Sequence, residues 1–176
     1  MALNVETGSA ASTSESYASV SQADTYFSVR GFLLWATLSV NEKEQALRRS
    51  TDYMQQAYRG RWYGARVNAT QALDWPRYLV PFKDLIGAFN TVPSFYSSTA
   101  IPTEISNACI SMAYKAAAGD LTPDIQPQTT AESVGPISVS YEPGSRQTVR
   151  YQAMDKLLGP FLKDGGGGAM ISVSRS

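Results

Sequence analysis

Histidine is absent from the 176 residues, and cysteine occurs once, at Cys109. Those two shortages remove Ser-His-Asp and Cys-His catalysis, most zinc sites and any disulfide within the chain. Charge is also sparse, at 17% of positions, and 15 Lys plus Arg cancel 15 Asp plus Glu, so no global field draws the protein onto a polyanion. Long apolar runs are missing. The strongest, Phe32 to Val40, is broken by Thr37 and Ser39 and falls far short of the ~18 residues that argue for a membrane span. Residues 1–20 hold neither Lys nor Arg and no apolar stretch, which argues against a secretory signal and for a cytoplasm-like compartment.

Apolar residues still make up 43% of the chain, enough for one modest core, so a single domain over residues 1–164 with an arm over 165–176 is expected. A first short helix is predicted from Ser21, as its cap, and Asp24 to a stop at Gly31. A second is predicted from an Asn41/Glu44 capping box through Leu47, Thr51, Met54 and Tyr58 to Gly60, with Glu42, Lys43, Arg48, Asp52 and Gln55 on its polar side. A third should begin near Pro102 and bury Ile105, Ala108, Cys109, Met112 and Ala116 before Gly119. Between the second and third, residues 61–101 read as a long irregular passage that includes a loop insertion at 78–100 and a protruding feature.

Residues 120–131 are rich in Pro, Gln and Thr and read as a linker. Ile137 to Tyr141 alternates at period two, and a turn at Glu142 to Ser145 would return the chain through Thr148 and Val149 as a small hairpin. Met154, Leu157, Leu158, Phe161 and Leu162 describe a last short helix, ended or kinked at Gly159-Pro160. Gly165 to Gly168 then reads as a hinge carrying a strand-prone tail, suited either to adding to a neighbour's sheet edge or to plain terminal disorder. The fold class expected is mainly α: a small helical bundle with a small β-hairpin, a long loop insertion and an extended C-terminal arm.

Chemistry is thin. Asp120 with Asp124, and Asp52 with Asp74, match no ligand loop or acid/base pair, and the four glycines lack the Lys-Ser/Thr of a phosphate loop. No catalytic residue, metal or cofactor is assigned, and the protein is not expected to be an enzyme. Residues 41–77 carry seven basic against four acidic groups, and residues 78–145 two against six, so oppositely charged regions could dock copies together. The densest signal is the stretch 59–77, with Gly60-Arg61-Trp62-Tyr63-Gly64-Ala65-Arg66 and Gln71-Ala72-Leu73-Asp74-Trp75-Pro76-Arg77. It reads either as a stacking and phosphate-contact surface for single-stranded nucleic acid or, preferred in a net-neutral chain, as a loop closed by burying its rings.

These same motifs carry a resemblance. Together with Glu15-Ser16-Tyr17, Val20 to Tyr26, Lys43 to Tyr53, Ile101-Pro102 and Glu132 to Tyr141, they resemble the head–tail adaptor (neck) proteins of tailed bacteriophages over residues 13–162. Some members carry the label DnaT-like single-stranded DNA-binding protein. The resemblance implies a helical adaptor core, usually twelve copies in a ring below the portal, joining the head to a stopper, nozzle or tail component around passing double-stranded DNA. It implies a structural virion role at the neck, assembly in host cytoplasm and no membrane partner. On that reading Trp62, Gly64, Leu73, Trp75 and Pro76 shape the subunit, and Arg61, Arg66, Arg77 and Asp74 are subunit-interface candidates. Leu162, Lys163, Met170, Ile171, Val173 and Arg175 are portal-contact candidates. The length of 78–100 and the glycine-rich tail depart from the family pattern.

Overall fold

The computed structural model describes residues 2–83, 94–124, 131–134, 137–140 and 149–163. Five α-helices dominate them: α1 (Val20–Ser28), α2 (Leu33–Ala36), α3 (Val40–Tyr58), α4 (Thr103–Ala118) and α5 (Gln152–Leu158). The mainly helical class is as expected. Two short antiparallel pairs accompany them, β1 (Ala65–Arg66) with β2 (Arg77–Tyr78), and β3 (Ala131–Val134) with β4 (Ile137–Ser140).

Helices α1 and α3 are capped two residues before the expected positions. Ser19 caps α1, its hydroxyl accepting from the Gln22 N–H at 3.2 Å while Gln22 Oε1 accepts from the Ser19 N–H. Ser39 and Glu42 repeat the device at α3. Each box satisfies two otherwise orphaned N–H groups. Ser21 and Asn41 therefore sit inside the first turns.

α3 and α4 form the main packing pair. Their predicted stripes are buried: Leu47, Thr51, Met54 and Tyr58 face Ile105, Ala108, Cys109, Met112 and Ala116. Small side chains bring the backbones close enough for Ser50 Oγ to donate to the Cys109 carbonyl at 2.6 Å and for Thr51 Oγ1 to meet Cys109 Sγ at 3.4 Å. Each large aliphatic side chain removed from such a core costs about 2–5 kcal/mol. Lys43, expected on the polar face, is buried instead. Its ammonium lies 2.9 Å from Asp24 and 5.9 Å from the centre of the Trp35 ring, so a solvated-face reading gives way to a long-range ion pair.

The hairpin forms with a different partner from the one expected. Strand β4 pairs with β3, which precedes it by a two-residue connection, the separation that tight hairpins favour. Val149, the proposed return strand, is irregular and exposed. Residues 141–148, the linker stretch 125–130, the insertion core 84–93, and residue 164 with the whole arm 165–176 lie outside the described residues. At the other end Gly159-Pro160 does stop α5, which tightens into a 3-10 turn over Gly159–Phe161.

Candidate interaction surface

The arginine and aromatic stretch 59–83 folds as a closed knot against the end of the chain. Gly64 makes the first turn at φ +66°, and a Cβ there would lie 1.9 Å from the Tyr78 carbonyl oxygen, so only glycine lets β1 approach β2. Trp62 and Trp75 are 1% and 0% exposed. Their rings meet edge to face at 5.8 Å, Trp75 meets Phe161 at 5.5 Å, and Phe161 leads on to Tyr96 and the stacked Phe82. Backbone bonds hold the final turn in place, from the Tyr63 N–H to the Phe161 carbonyl at 2.9 Å and from the Lys163 N–H to the Arg61 carbonyl at 2.7 Å.

Most polar groups of the knot close it, although Trp75 Nε1 and Arg66 Nε are buried without a hydrogen-bond partner among the described residues. Asp74, 1% exposed, accepts from Arg59 Nε at 3.0 Å and Trp62 Nε1 at 3.3 Å. Arg77 donates to the carbonyls of Tyr63, Gly64 and Asp74 at 2.7, 2.9 and 3.1 Å. Burial pulls the Arg77 pKa below the usual arginine range, against the opposing charge of Asp74. Arg66 donates to the Gln71 carbonyl, and Gln71 itself bridges to the carbonyls of Leu73 and Pro76. Tyr17, from the N-terminal segment, accepts the N–H groups of Asp74 and Trp75 on its hydroxyl, and burial drives its pKa strongly upward.

A second buried polar centre escaped the sequence reading. Glu6 is 2% exposed, and its carboxylate accepts from the N–H groups of Gly8, Ala10 and Ala11 and from the hydroxyls of Ser9 and Ser14. Burial alone would raise its pKa, but the donors, Ser14 foremost, outweigh that and hold it below the ordinary value. A serine- and alanine-rich stretch thus becomes an ordered loop through one carboxylate, with no periodicity to announce it.

The candidate residues therefore separate. Trp62, Leu73, Trp75 and Pro76 are buried together, as a shaping role requires. Among the interface candidates, Asp74 and Arg77 are internal, Arg66 is half-buried, and Arg61 is half-buried over the Tyr58 ring. Leu162 is 1% exposed and bridges to Trp62, so its side chain belongs to the core, whereas Lys163 is exposed. Met170, Ile171, Val173 and Arg175 lie outside the described residues. Three of the seven basic groups of residues 41–77 are in ion pairs: Lys43 with Asp24, Arg48 with Glu15 and Glu44, Arg59 with Asp74.

An open cleft of about 720 Å³ lies beside the knot, with Lys83 and Arg150 set against Glu104 and Asp155. Asp155 is already engaged by Tyr58 at 2.8 Å and Arg150 at 2.6 Å. Among the described residues no three His, Cys, Asp or Glu gather as metal ligands, and no helix is long and apolar enough to cross a membrane. What the surface does offer is apolar: Val29, Phe32, Leu33, Leu34 and Val40 at one end, and Tyr78, Leu79 and Phe95 at another, are all exposed. The run beginning at Phe32 was visible in the sequence, but only as too short for a membrane.

Fold and surface together define a helical-core protein whose arginine and tryptophan loop buries its tryptophans, with apolar side chains exposed among the described residues. The chain belongs to the family described as "Putative DnaT-like ssDNA binding protein", matched over residues 1–176. No curated protein and no solved structure matches it significantly.

Proposed function

We propose that this protein is a structural adaptor of a tailed bacteriophage neck, built as a ring around passing double-stranded DNA between the portal and a stopper or tail component. The observation that carries this reading over its rival is the burial of both tryptophans in the 59–77 segment. The strongest nucleic-acid signal in the chain is consumed in holding the subunit together, while its uncovered surface is apolar, as protein contacts require. Repeated weak contacts in a closed ring reinforce one another, so the isolated chain is monomeric or weakly associated and closes only on its portal. No catalytic step belongs to this role. Mass spectrometry and imaging of purified particles test it: the chain should be present at the neck, and its absence from finished virions would end the reading.

A second reading, a single-stranded nucleic-acid binding module, is favoured by the family's description, which names single-stranded DNA and no neck component. The geometry narrows how it would work. Trp35, Trp62 and Trp75 are all buried, so bases would stack on aromatics that reach the surface, among them exposed Phe32, Tyr78 and Phe95 or half-buried Tyr63, which lies beneath Lys83 at 4.6 Å with Arg61 nearby. Tryptophan quenching is therefore the wrong readout. Anisotropy of a labelled oligo-dT across a salt series decides: tight binding that weakens steeply with salt and is lost in Arg61→Ala/Lys83→Ala favours the nucleic-acid reading, and no saturable binding favours the adaptor.

A further inference from the structure

Away from the exposed apolar side chains, cations from separate parts of the chain meet around α5. The 720 Å³ cleft beside the knot borders this helix, with Lys83, Arg150 and Lys156 in its wall. A second cleft, of about 310 Å³, takes in Tyr53 of α3, Arg61 and Tyr151. A third, of about 530 Å³, takes in Lys115 of α4 and, again, Tyr151. Arg150, just before α5, lines all three, so they meet at one side chain as a branched groove.

The groove is positive in a chain whose charges sum to zero. Arg61, Lys83, Lys115, Arg150 and Lys156 stand against the described carboxylates of Glu104 and Asp155, an excess of three. Asp155 is already matched, accepting from the Tyr58 hydroxyl at 2.8 Å and from Arg150 Nε at 2.6 Å. Lys83 donates to the carbonyls of Leu162 and Gly159 at 3.2 and 3.4 Å, which fixes its ammonium without neutralising it. Lys115 and Lys156 are exposed, and no described carboxylate forms an ion pair with either. Rings stand among these cations. Half-buried Tyr53 and Tyr151 meet edge to face at 5.5 Å, with the Lys115 ammonium 5.8 Å from the Tyr151 ring centre, and half-buried Tyr96 lines the first cleft. Cations alone would suit any polyanion. Cations interleaved with aromatic rings suit a flexible phosphate chain whose bases are free to stack, which an acidic peptide lacks and a duplex keeps inside.

We propose that the groove around α5 holds a single strand of nucleic acid, with phosphates on Arg61, Lys83, Lys115 and Lys156 and bases against Tyr53, Tyr96 and Tyr151. It rests on the nucleic-acid reading, whose site it carries from the edge of the 59–77 loop along α5.

Neutralising the two outer lysines tests it, because both are exposed and the fold should survive. Each phosphate contact on a single strand contributes about 0.7 to the slope of log affinity against log salt. In anisotropy of a labelled oligo-dT, Lys115→Gln/Lys156→Gln should therefore flatten that slope by about 1.4 and weaken binding roughly tenfold at low salt. Arg48→Gln, whose cation pairs with Glu15 and Glu44 outside the groove, should stay within about twofold of the wild type. A duplex of equal length and poly-glutamate should both bind more weakly than oligo-dT. If the wild type binds and the double variant keeps its slope, the groove is overturned and the nucleic-acid reading stands with its site elsewhere. No saturable binding by the wild type overturns both. A duplex or poly-glutamate bound as tightly as oligo-dT overturns the single-stranded occupant and gives the groove to double-stranded DNA or to an acidic protein segment.

Discussion

Glu6→Gln isolates the one carboxylate that orders the N-terminal segment. In the wild type Oε1 accepts from Gly8 N–H at 2.8 Å, Ala10 N–H at 3.1 Å and Ser9 Oγ at 3.3 Å, and Oε2 from Ala11 N–H at 3.0 Å and Ser14 Oγ at 2.8 Å. The amide can keep its oxygen on the first three. Its NH₂ then faces Ser14, whose hydroxyl can turn to accept, and the Ala11 N–H, which cannot. One stranded backbone donor costs about 1–3 kcal/mol, and the surviving bonds lose their charge assistance, so the variant should be about 2–4 kcal/mol less stable at pH 7. In a domain of this size that lowers Tm by roughly 5–12 °C. The pH dependence supplies the sharper check. The folded pKa of Glu6 lies below its ordinary 4.5, so its contribution is fully present above 4.5 and is lost as pH falls through the depressed folded value. A protonated Glu6 is close to the glutamine in its hydrogen bonding, so the gap between wild type and variant should narrow on acidification while other carboxylates cancel from the difference. Urea denaturation of both chains at several pH values measures it. A gap under ~0.5 kcal/mol at pH 7, or one that stays constant into acid, would refute the cluster as described.

Gly64→Ala should cost at least about 2 kcal/mol, because it combines a strained positive φ with a methyl driven into the Tyr78 carbonyl; chemical denaturation showing a neutral effect would contradict the close approach of β1 and β2. Ser39→Ala should destabilise by about 1 kcal/mol while Asn41→Ala changes little, which thermal melts can rank and which separates the observed cap from the one the sequence suggested. Leu79→Asn should leave the isolated chain unchanged or up to ~1 kcal/mol more stable, since asparagine tolerates the left-handed conformation that Leu79 holds at φ +56°. A loss of more than ~1 kcal/mol would mean that Leu79 packs within its own chain.

Helices were legible wherever burial and periodicity agreed. The stripe Leu47, Thr51, Met54 and Tyr58 is spaced at three and four residues and is buried as such. The caps were missed by two residues for one reason in both places. Each helix begins with two polar residues flanking Val20 or Val40, and the inner one was chosen although the outer serine is the one followed three positions later by Gln22 or Glu42. Lys43 was misplaced because its partner, Asp24, is 19 residues away, a separation that helical periodicity does not encode. The hairpin differs in partner because the alternating strand at 137–140 can pair on either side, and of the preceding Ala131 to Val134 only Ala131 falls in the linker expected over 120–131, the rest carrying no strand expectation.

The arginine and tryptophan loop shows where composition stops and geometry begins. Arg61, Trp62, Tyr63, Trp75 and Arg77 are the residue types that would stack on bases and meet phosphates, and nothing in their order says whether the rings face outward. Gly64, Asp74 and Gln71 decide it. The glycine lets the two strands close, the carboxylate binds Arg59 and the Trp62 indole inside, and the amide ties two carbonyls of the turn. Once closed, the loop has engaged Arg59, Arg66 and Arg77 with internal acceptors, while Arg61 stays half-buried over the Tyr58 ring. The family's description names single-stranded DNA and no residues that meet it, and this burial leaves Trp62 and Trp75 out of any such contact. A single-stranded DNA site on this loop would have to bypass Trp62 and Trp75, whereas a protein contact can use the exposed Tyr78 and Leu79 beside it.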